Sequence, residues 1–246
     1  MIARPAPLPT STDYAGYAEW KAWDAGSFMA PSPAERSYYA NELRGHRIAG
    51  KPVLELGFGN GGFLAWAKDQ GATLHGTELQ PDLAARGAAA GVVVEPEDIA
   101  ALLPAARARF ALVAAFDVFE HLDIAALPGL LATTAELLED GGLLVARYPN
   151  GQSPFGRVYQ HGDLTHRTIL SAGIMRQLVA GLPFDELHLG NQARPAGAVH
   201  AARAALQRLH EIALQGLYEH STPLGPNSVA ILRRRARSAA NPHITA

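Results

Sequence analysis

Between Pro52 and Asn150 the chain alternates short apolar runs with helix-like stretches, two of which end on glycine. This alternation restricts the fold more than any other feature. PVLELGF (52–58) has the apolar density of a buried strand. Gly61–Gly71 reads as a helix closed by glycine, ATLHGTEL (72–79) as a strand, and Pro81–Gly91 as an Ala-rich helix again closed by glycine. VVVEPEDI (92–99) holds a third strand and RFALVAAFDVF (109–119) a fourth. Leu127–Glu139 reads as a helix, after which Gly141-Gly142 turns into a fifth strand, LLVARYPN (143–150). Strands spaced by helices of this length make βαβ units and a parallel sheet. Right-handed crossovers then put a ligand at the carboxyl ends of the strands.

The flanking segments read differently. Residues 1–13 are rich in Pro, Thr and Ser and are expected to be disordered. YAGYAEWKAW (14–23) reads as a short aromatic helix that either covers a ligand or packs on the sheet. Ser32-Pro33-Ala34-Glu35 is a capping box with proline at the first helical position, predicting a helix to about Arg44. After Asn150 comes a polar, His-rich segment without periodicity, expected to be a functional loop over 150–168. Leu170–Gly181 is expected to be a helix, FDELHLGN (184–191) a strand and NSVAILRRR (227–235) a final strand. The Gly197–His220 helix carries a narrow apolar stripe at Val199, Ala202, Leu206, Leu209, Ala213 and Leu217. That stripe suits either a homodimer seam or the protein's own core. Arg203 and Arg208 beside it read as a solvated face or as contacts for anionic lipid or sugar phosphate. The chain thus divides into an N-terminal tail and helical lid (1–50), a main domain (51–235) and a flexible tail (236–246).

The glycine loop poses the functional question. In VLELGFGNGG (53–62), Gly57, Gly59 and Gly62 satisfy the dinucleotide pattern G-x-G-x-x-G, whereas Gly57, Gly59 and Gly61 satisfy G-x-G-x-G. Both patterns bring a ligand to a helix N-terminus, and both want an acid on the ribose about 20 residues on, a role that Glu78 fills either way. Three features favour a methyl donor over a dinucleotide. Glu55 lies inside the first strand, where a carboxylate is costly unless it meets a cation such as the ammonium of S-adenosylmethionine. Asp98 follows the third strand, in reach of an adenine amino group. AAFDVFEHL (114–122) stands where the donor would face its acceptor.

At these residues the sequence resembles the class I S-adenosylmethionine-dependent methyltransferases over residues 51–150, with four motifs in order. The resemblance implies a Rossmann-like, doubly wound, seven-stranded, mostly parallel α/β sheet with its last strand antiparallel, N-terminal helices, and an inserted helix before the last strand. It implies S-adenosylmethionine as cofactor, held by Glu55, Gly57, Phe58, Gly59, Gly61, Glu78, Leu79, Asp98, Ile99, Phe116 and Asp117. PNGQSPFGRVYQHGDLTHRT (149–168), the KAW entry and the long late helix resemble bacterial methyltransferases of surface-polysaccharide and sugar-modifying pathways. The expected reaction is therefore O-methylation of a hydroxyl on a sugar or surface-polysaccharide intermediate. An O- or N-methyltransferase of a small aromatic or quinone-like metabolite is the alternative enzyme, and a non-catalytic nucleotide-fold binding protein the alternative class.

A sugar hydroxyl is a poor nucleophile and benefits from a base, for which histidine is suited near neutral pH. His121, His161 and His166 lie on or near the acceptor side. His166 is preferred because it ends GDLTH (162–166), and Asp163 of the same segment is taken with His166 and His121 as the catalytic set. Asp117-x-x-Glu120-His121 is also similar to the E-x-x-E-H of ubiquinone-pathway O-methyltransferases and small-RNA 2′-O-methyltransferases, which holds a divalent cation. A cation here would take Asp117, Glu120, His121 and His166. The aspartate in the first position departs from that pattern, and the metal-free base is the expectation.

Bulk properties narrow the remainder. With 246 residues, 48% hydrophobic and 18% charged, the chain is long enough for one large core. A net charge of −2 gives nothing that points to nucleic acid. The absence of cysteine excludes disulfides, thiolate-bound zinc and a thiol nucleophile. No apolar run has the length of a membrane span and the first residues lack a signal-peptide core, so a cytoplasmic protein acting on a small-molecule or glycan acceptor is the expectation.

Overall fold

The computed structural model describes residues 16, 21, 23, 26–220 and 223–237. Most of the expected aromatic helix over 14–23, including Tyr14, Tyr17 and Trp20, and most of the expected C-terminal tail lie outside the described residues.

A seven-stranded sheet organises the molecule, in the order β3-β2-β1-β4-β5-β7-β6. The strands are β1 (Pro52–Leu56), β2 (Thr73–Gly76), β3 (Val93–Val94), β4 (Phe110–Phe116), β5 (Leu138–Pro149), β6 (Phe184–Asn191) and β7 (Asn227–Arg234). β1 pairs parallel with β2 and β4, β2 with β3, and β4 with β5, whereas β7 runs antiparallel between β5 and β6. The strand order switches direction between β1 and β4, which opens a crevice at their carboxyl ends. The central strands are buried on both faces and read accordingly as continuous apolar runs. One core layer gathers Leu54, Val113, Phe119, Leu131, Leu144 and Tyr148, and the other gathers Val53, Phe63, Leu64, Leu112, Val145 and Val229.

The helices start where the chain supplies a cap. Ser32 caps α1 (Pro33–Glu42) through the reciprocal box with Glu35, as the motif predicts. α2 (Gly62–Asp69) leaves the glycine loop, and α3 (Pro81–Ala89) starts on Pro81. Ser171 caps α7 (Ala172–Val179) by accepting from the Ile174 amide. α4 (Leu103–Ala106), α5 (Leu127–Leu137), α6 (Arg157–His161) and α8 (Ala198–Tyr218) are the remaining α-helices among the described residues.

Several expectations need correction. The fifth strand begins at Leu138, not after Gly141-Gly142. Phe110 pairs with Leu138 while Leu112 pairs with Leu143, so the two glycines lie in a bulge that absorbs extra residues on β5. The segment after Asn150 is not all loop, because α6 forms within it. The stripe on α8 does not rest on the protein's own core: Leu206, Leu209 and Leu217 are exposed, and buried Glu211 faces inward.

Candidate active site

The loop after β1 turns on three glycines in the left-handed region, Gly57, Gly59 and Gly61, with φ of 57°, 51° and 71°. At two of them an added side chain would force a neighbour to shift. A Cβ on Gly59 would stand 2.7 Å from Trp23 Cη2, and one on Gly61 2.7 Å from Met29 Cγ. The segment before α1 is thus strapped over the loop. The Met29 amide donates to Asn60 O at 2.8 Å, and the Asn60 amide nitrogen donates to Ser27 O at 2.7 Å.

A cavity of about 520 Å³ opens beside this loop. Of the residues implied to bind the cofactor, Glu55, Gly57, Phe58, Gly59, Gly61, Glu78, Leu79, Asp98, Ile99, Phe116 and Asp117 all line it. Their environments differ. Glu55 is buried with Oε2 unpartnered, and burial followed by the nearby Glu78 charge pushes its carboxyl well above the usual range. Glu78 accepts from the Gly59 amide at 2.7 Å and the Gln80 amide at 2.9 Å. Burial nevertheless raises its pKa. Asp98 accepts from the Ala100 amide at 3.0 Å and so caps the turn over Ile99–Leu102. The Phe58 ring packs between Gly76 and Gly87, where a Cβ on either would come within 2.6 Å.

Asp117 directly follows β4 with φ of 56°, a strained conformation for a residue with a side chain. Arg147 holds it by two hydrogen bonds, one of them Nε to Oδ1 at 2.9 Å. Burial would raise the Asp117 pKa, but the Arg147 charge and hydrogen bonds overcome it and leave it low. Sequence reasoning passed over Arg147, Lys21, Glu35 and Tyr39, all of which line the cavity. Arg147 had a signal: it is the one charged residue in the apolar run LLVARYP (143–149).

Past Asp117 the site becomes a cluster of titratable side chains. His166 Nε2 lies 3.9 Å from Glu120 Oε1 and 3.7 Å from Asp163 Oδ2, and the His121 and His166 rings stand edge to face at 4.6 Å. Asp163 Oδ2 lies 3.8 Å from Lys21 Nζ. Proton positions follow from the partners. His166 Nδ1 meets the Gln160 carbonyl at 3.2 Å, which only accepts, so Nδ1 carries a hydrogen. Thr165 Oγ1 donates to Asp163 Oδ1 at 2.5 Å, so at 2.9 Å it accepts from His121 Nδ1–H. Both rings therefore carry a hydrogen at Nδ1. Burial lowers the His166 pKa, and burial with the adjacent His166 lowers that of His121 to about 4. Both Glu120 oxygens are buried without a partner, and burial, then the Asp117 charge, pushes its carboxyl well up.

Glu120, His121 and His166 could hold a cation, since one ligand atom from each lies within 4.8 Å of the others. Asp117, the further ligand in the sequence reading, is instead paired with Arg147. His161 is exposed at the end of α6 and is not drawn into the cluster.

A family model described as a methyltransferase domain matches residues 34–189. No curated protein matches the chain significantly. Among solved structures, the chain is similar to an S-adenosylmethionine-dependent methyltransferase from Archaeoglobus fulgidus, with 20% identity, TM-score 0.60, 81% of this chain and 94% of that one covered. A second, from Mesorhizobium loti, is 19% identical with TM-score 0.57, covering 81% and 98%. A geranyl diphosphate C-methyltransferase from Streptomyces coelicolor, solved with S-adenosyl-L-homocysteine, is 16% identical with TM-score 0.55, covering 82% and 79%.

Proposed function

The chain belongs to the methyltransferase-domain family, and from that premise we propose that it methylates a hydroxyl oxygen of a sugar-bearing acceptor. It is an enzyme, which removes the non-catalytic alternative, and S-adenosylmethionine is its cofactor.

The cavity's polar groups fit that cofactor. Glu55 offers a buried, unpartnered carboxylate oxygen, the acceptor a ligand ammonium needs. Gly57, Gly59 and Gly61 line the cavity, Glu78 would take the ribose hydroxyls, and Asp98 with Ile99 would flank the adenine. Bound S-adenosylmethionine supplies an electrophilic methyl group.

The chain's own share of the chemistry is the acceptor's proton. His166 Nε2 lies between Glu120 and Asp163, and burial lowers its pKa, which favours the neutral ring a base requires. As the acceptor oxygen is methylated, its proton passes to Nε2. The Asp163 carboxylate beside the ring, held in its charged form by its Thr165 hydrogen bonds, then stabilises the imidazolium. The placement of the His166 ring, held at Nδ1 by the Gln160 carbonyl with Nε2 3.7 Å from Asp163 Oδ2, is the observation that carries the reading. The sugar assignment is supported by the resemblance of residues 149–168 to sugar-modifying methyltransferases.

An acceptor panel tests it: formation of S-adenosylhomocysteine with sugar nucleotides and glycosides, against catechols and quinols. Turnover with a sugar acceptor and an alkali-stable methyl ether in the product is expected. Turnover confined to catechols or quinols would transfer the assignment to the aromatic alternative.

A further inference from the structure

The last third of the chain is built inside out in two places. In the segment between β5 and α7, polar Ser153, Gln160, Asp163 and Thr168 are buried. Apolar Phe155, Val158, Tyr159 and Leu164 point outward, Leu164 fully so at 104%. In α8, Glu211 is buried and accepts from Asn191, Gln207 and the Leu224 amide. Val199, Leu206, Leu209, Ile212 and Leu217 face solvent. An amphipathic helix normally does the reverse.

Topology puts both surfaces on one edge. Pro149, the carboxyl end of β5, pairs with Asn227 at the start of β7, and Asn191, the carboxyl end of β6, pairs with Ser228. The outward-facing segment therefore departs from, and α8 spans, the edge of the sheet at which the glycine loop leaves β1. The charge on these two elements is one-sided. Their carboxylates Asp163 and Glu211 are buried, and Glu219 is the exposed exception. Exposed Arg157, Arg203 and Arg208 give a basic rim on a chain whose net charge is −2, Arg208 also lying 3.8 Å from Glu211 Oε2, whereas exposed Arg167 is paired with Asp123. A second copy fits poorly, since antiparallel pairing of α8 would set basic flank against basic flank. Apolar side chains at the centre and arginines at the rim match an anionic bilayer surface.

We propose that this edge docks on anionic phospholipid, with Leu206, Leu209 and Leu164 entering the interfacial zone and Arg203 and Arg208 meeting the headgroups. The surface stands independently of which acceptor is methylated.

Vesicle co-sedimentation of the full chain tests it, using phosphatidylcholine vesicles with and without phosphatidylglycerol. The wild type is expected to pellet with the phosphatidylglycerol vesicles, to bind pure phosphatidylcholine at least tenfold more weakly, and to be released by salt. Arg203→Gln with Arg208→Gln should cost about tenfold or more, since each basic residue near an anionic surface contributes about fivefold. Leu206→Gln with Leu209→Gln should do likewise while keeping the S-adenosylhomocysteine-induced shift in Tm. If the leucine variant does not fold, the arginine variant and the salt dependence still decide. Absence of wild-type binding to phosphatidylglycerol vesicles would overturn the proposal. So would binding that both variants retain, or a solution dimer that the leucine changes dissolve without any vesicle binding.

Discussion

His166 Nε2 lies 3.9 Å from a Glu120 carboxylate that has no hydrogen-bond partner on either oxygen. In the proposed role the ring takes the acceptor's proton, so His166→Ala should lower kcat by about 10²–10⁴. Cofactor affinity should hardly change, since His166 is not among the residues lining the cofactor cavity. Because burial lowers the His166 pKa, the acidic limb of kcat/KM should fall below the ordinary histidine range near 6.5, and the rate should be level through neutral pH. An unchanged kcat in the variant would remove the base from this residue.

The same cluster makes a prediction about metals. With His166 as a base acting alone, EDTA should leave turnover intact, and Glu120→Gln should be milder than His166→Ala. If Glu120, His121 and His166 instead hold a cation, chelation should abolish turnover and added magnesium or manganese should restore it. Steady-state rates before and after chelation separate the two.

Glu78 is tied to the glycine loop, its Oε2 accepting from the Gly59 amide at 2.7 Å. Glu78→Ala should weaken S-adenosylhomocysteine binding by roughly 1.5–3 kcal/mol, about ten- to a hundredfold, through loss of a charged acceptor. The freed Gly59 amide adds a smaller cost in stability, seen as a lower Tm. Calorimetry of the variant with unchanged affinity would show that Glu78 does not reach the ribose.

His121 sets a pH dependence of stability. Its folded pKa of about 4 lies below the unfolded value of 6.5, so the unfolded chain takes up the proton first as pH falls. Stability is therefore fully present above pH 6.5 and declines toward pH 4, by about 3 kcal/mol in all for this group. Glu120, with its raised pKa, acts with the opposite sign above the ordinary carboxylate range. The difference between wild type and His121→Asn isolates the histidine: urea titrations should show the variant losing less stability between pH 7 and about pH 4.

Much of this was legible in the chain because its signals are local. Ser32 and Glu35 announce a helix start in four residues, and Gly57, Gly59 and Gly61 announce a close backbone approach. The polar ends of the site were harder to read. Arg147 sits near the carboxyl end of β5, and its partner Asp117 directly follows the neighbouring β4, so the pair exists only once β4 and β5 align. The cluster of Glu120, His121 and His166 likewise joins residues far apart in sequence, with Thr165 and Gln160 setting the protons. The α8 stripe was visible as a period, but a period does not say which way a helix faces. Buried Glu211, bonded to Asn191 and Leu224, turns the apolar side outward.

The most direct measurement is calorimetric titration of the purified protein with S-adenosylmethionine, S-adenosylhomocysteine and NAD. Glu55 with its unpartnered oxygen and the three left-handed glycines belong to a cavity for a cationic methyl donor. The two sulfur-containing ligands should bind one per chain in the micromolar range, Glu55→Gln should weaken S-adenosylmethionine by about tenfold or more, and NAD should give no heat of binding. Tight binding of NAD with no response to S-adenosylhomocysteine would contradict the account.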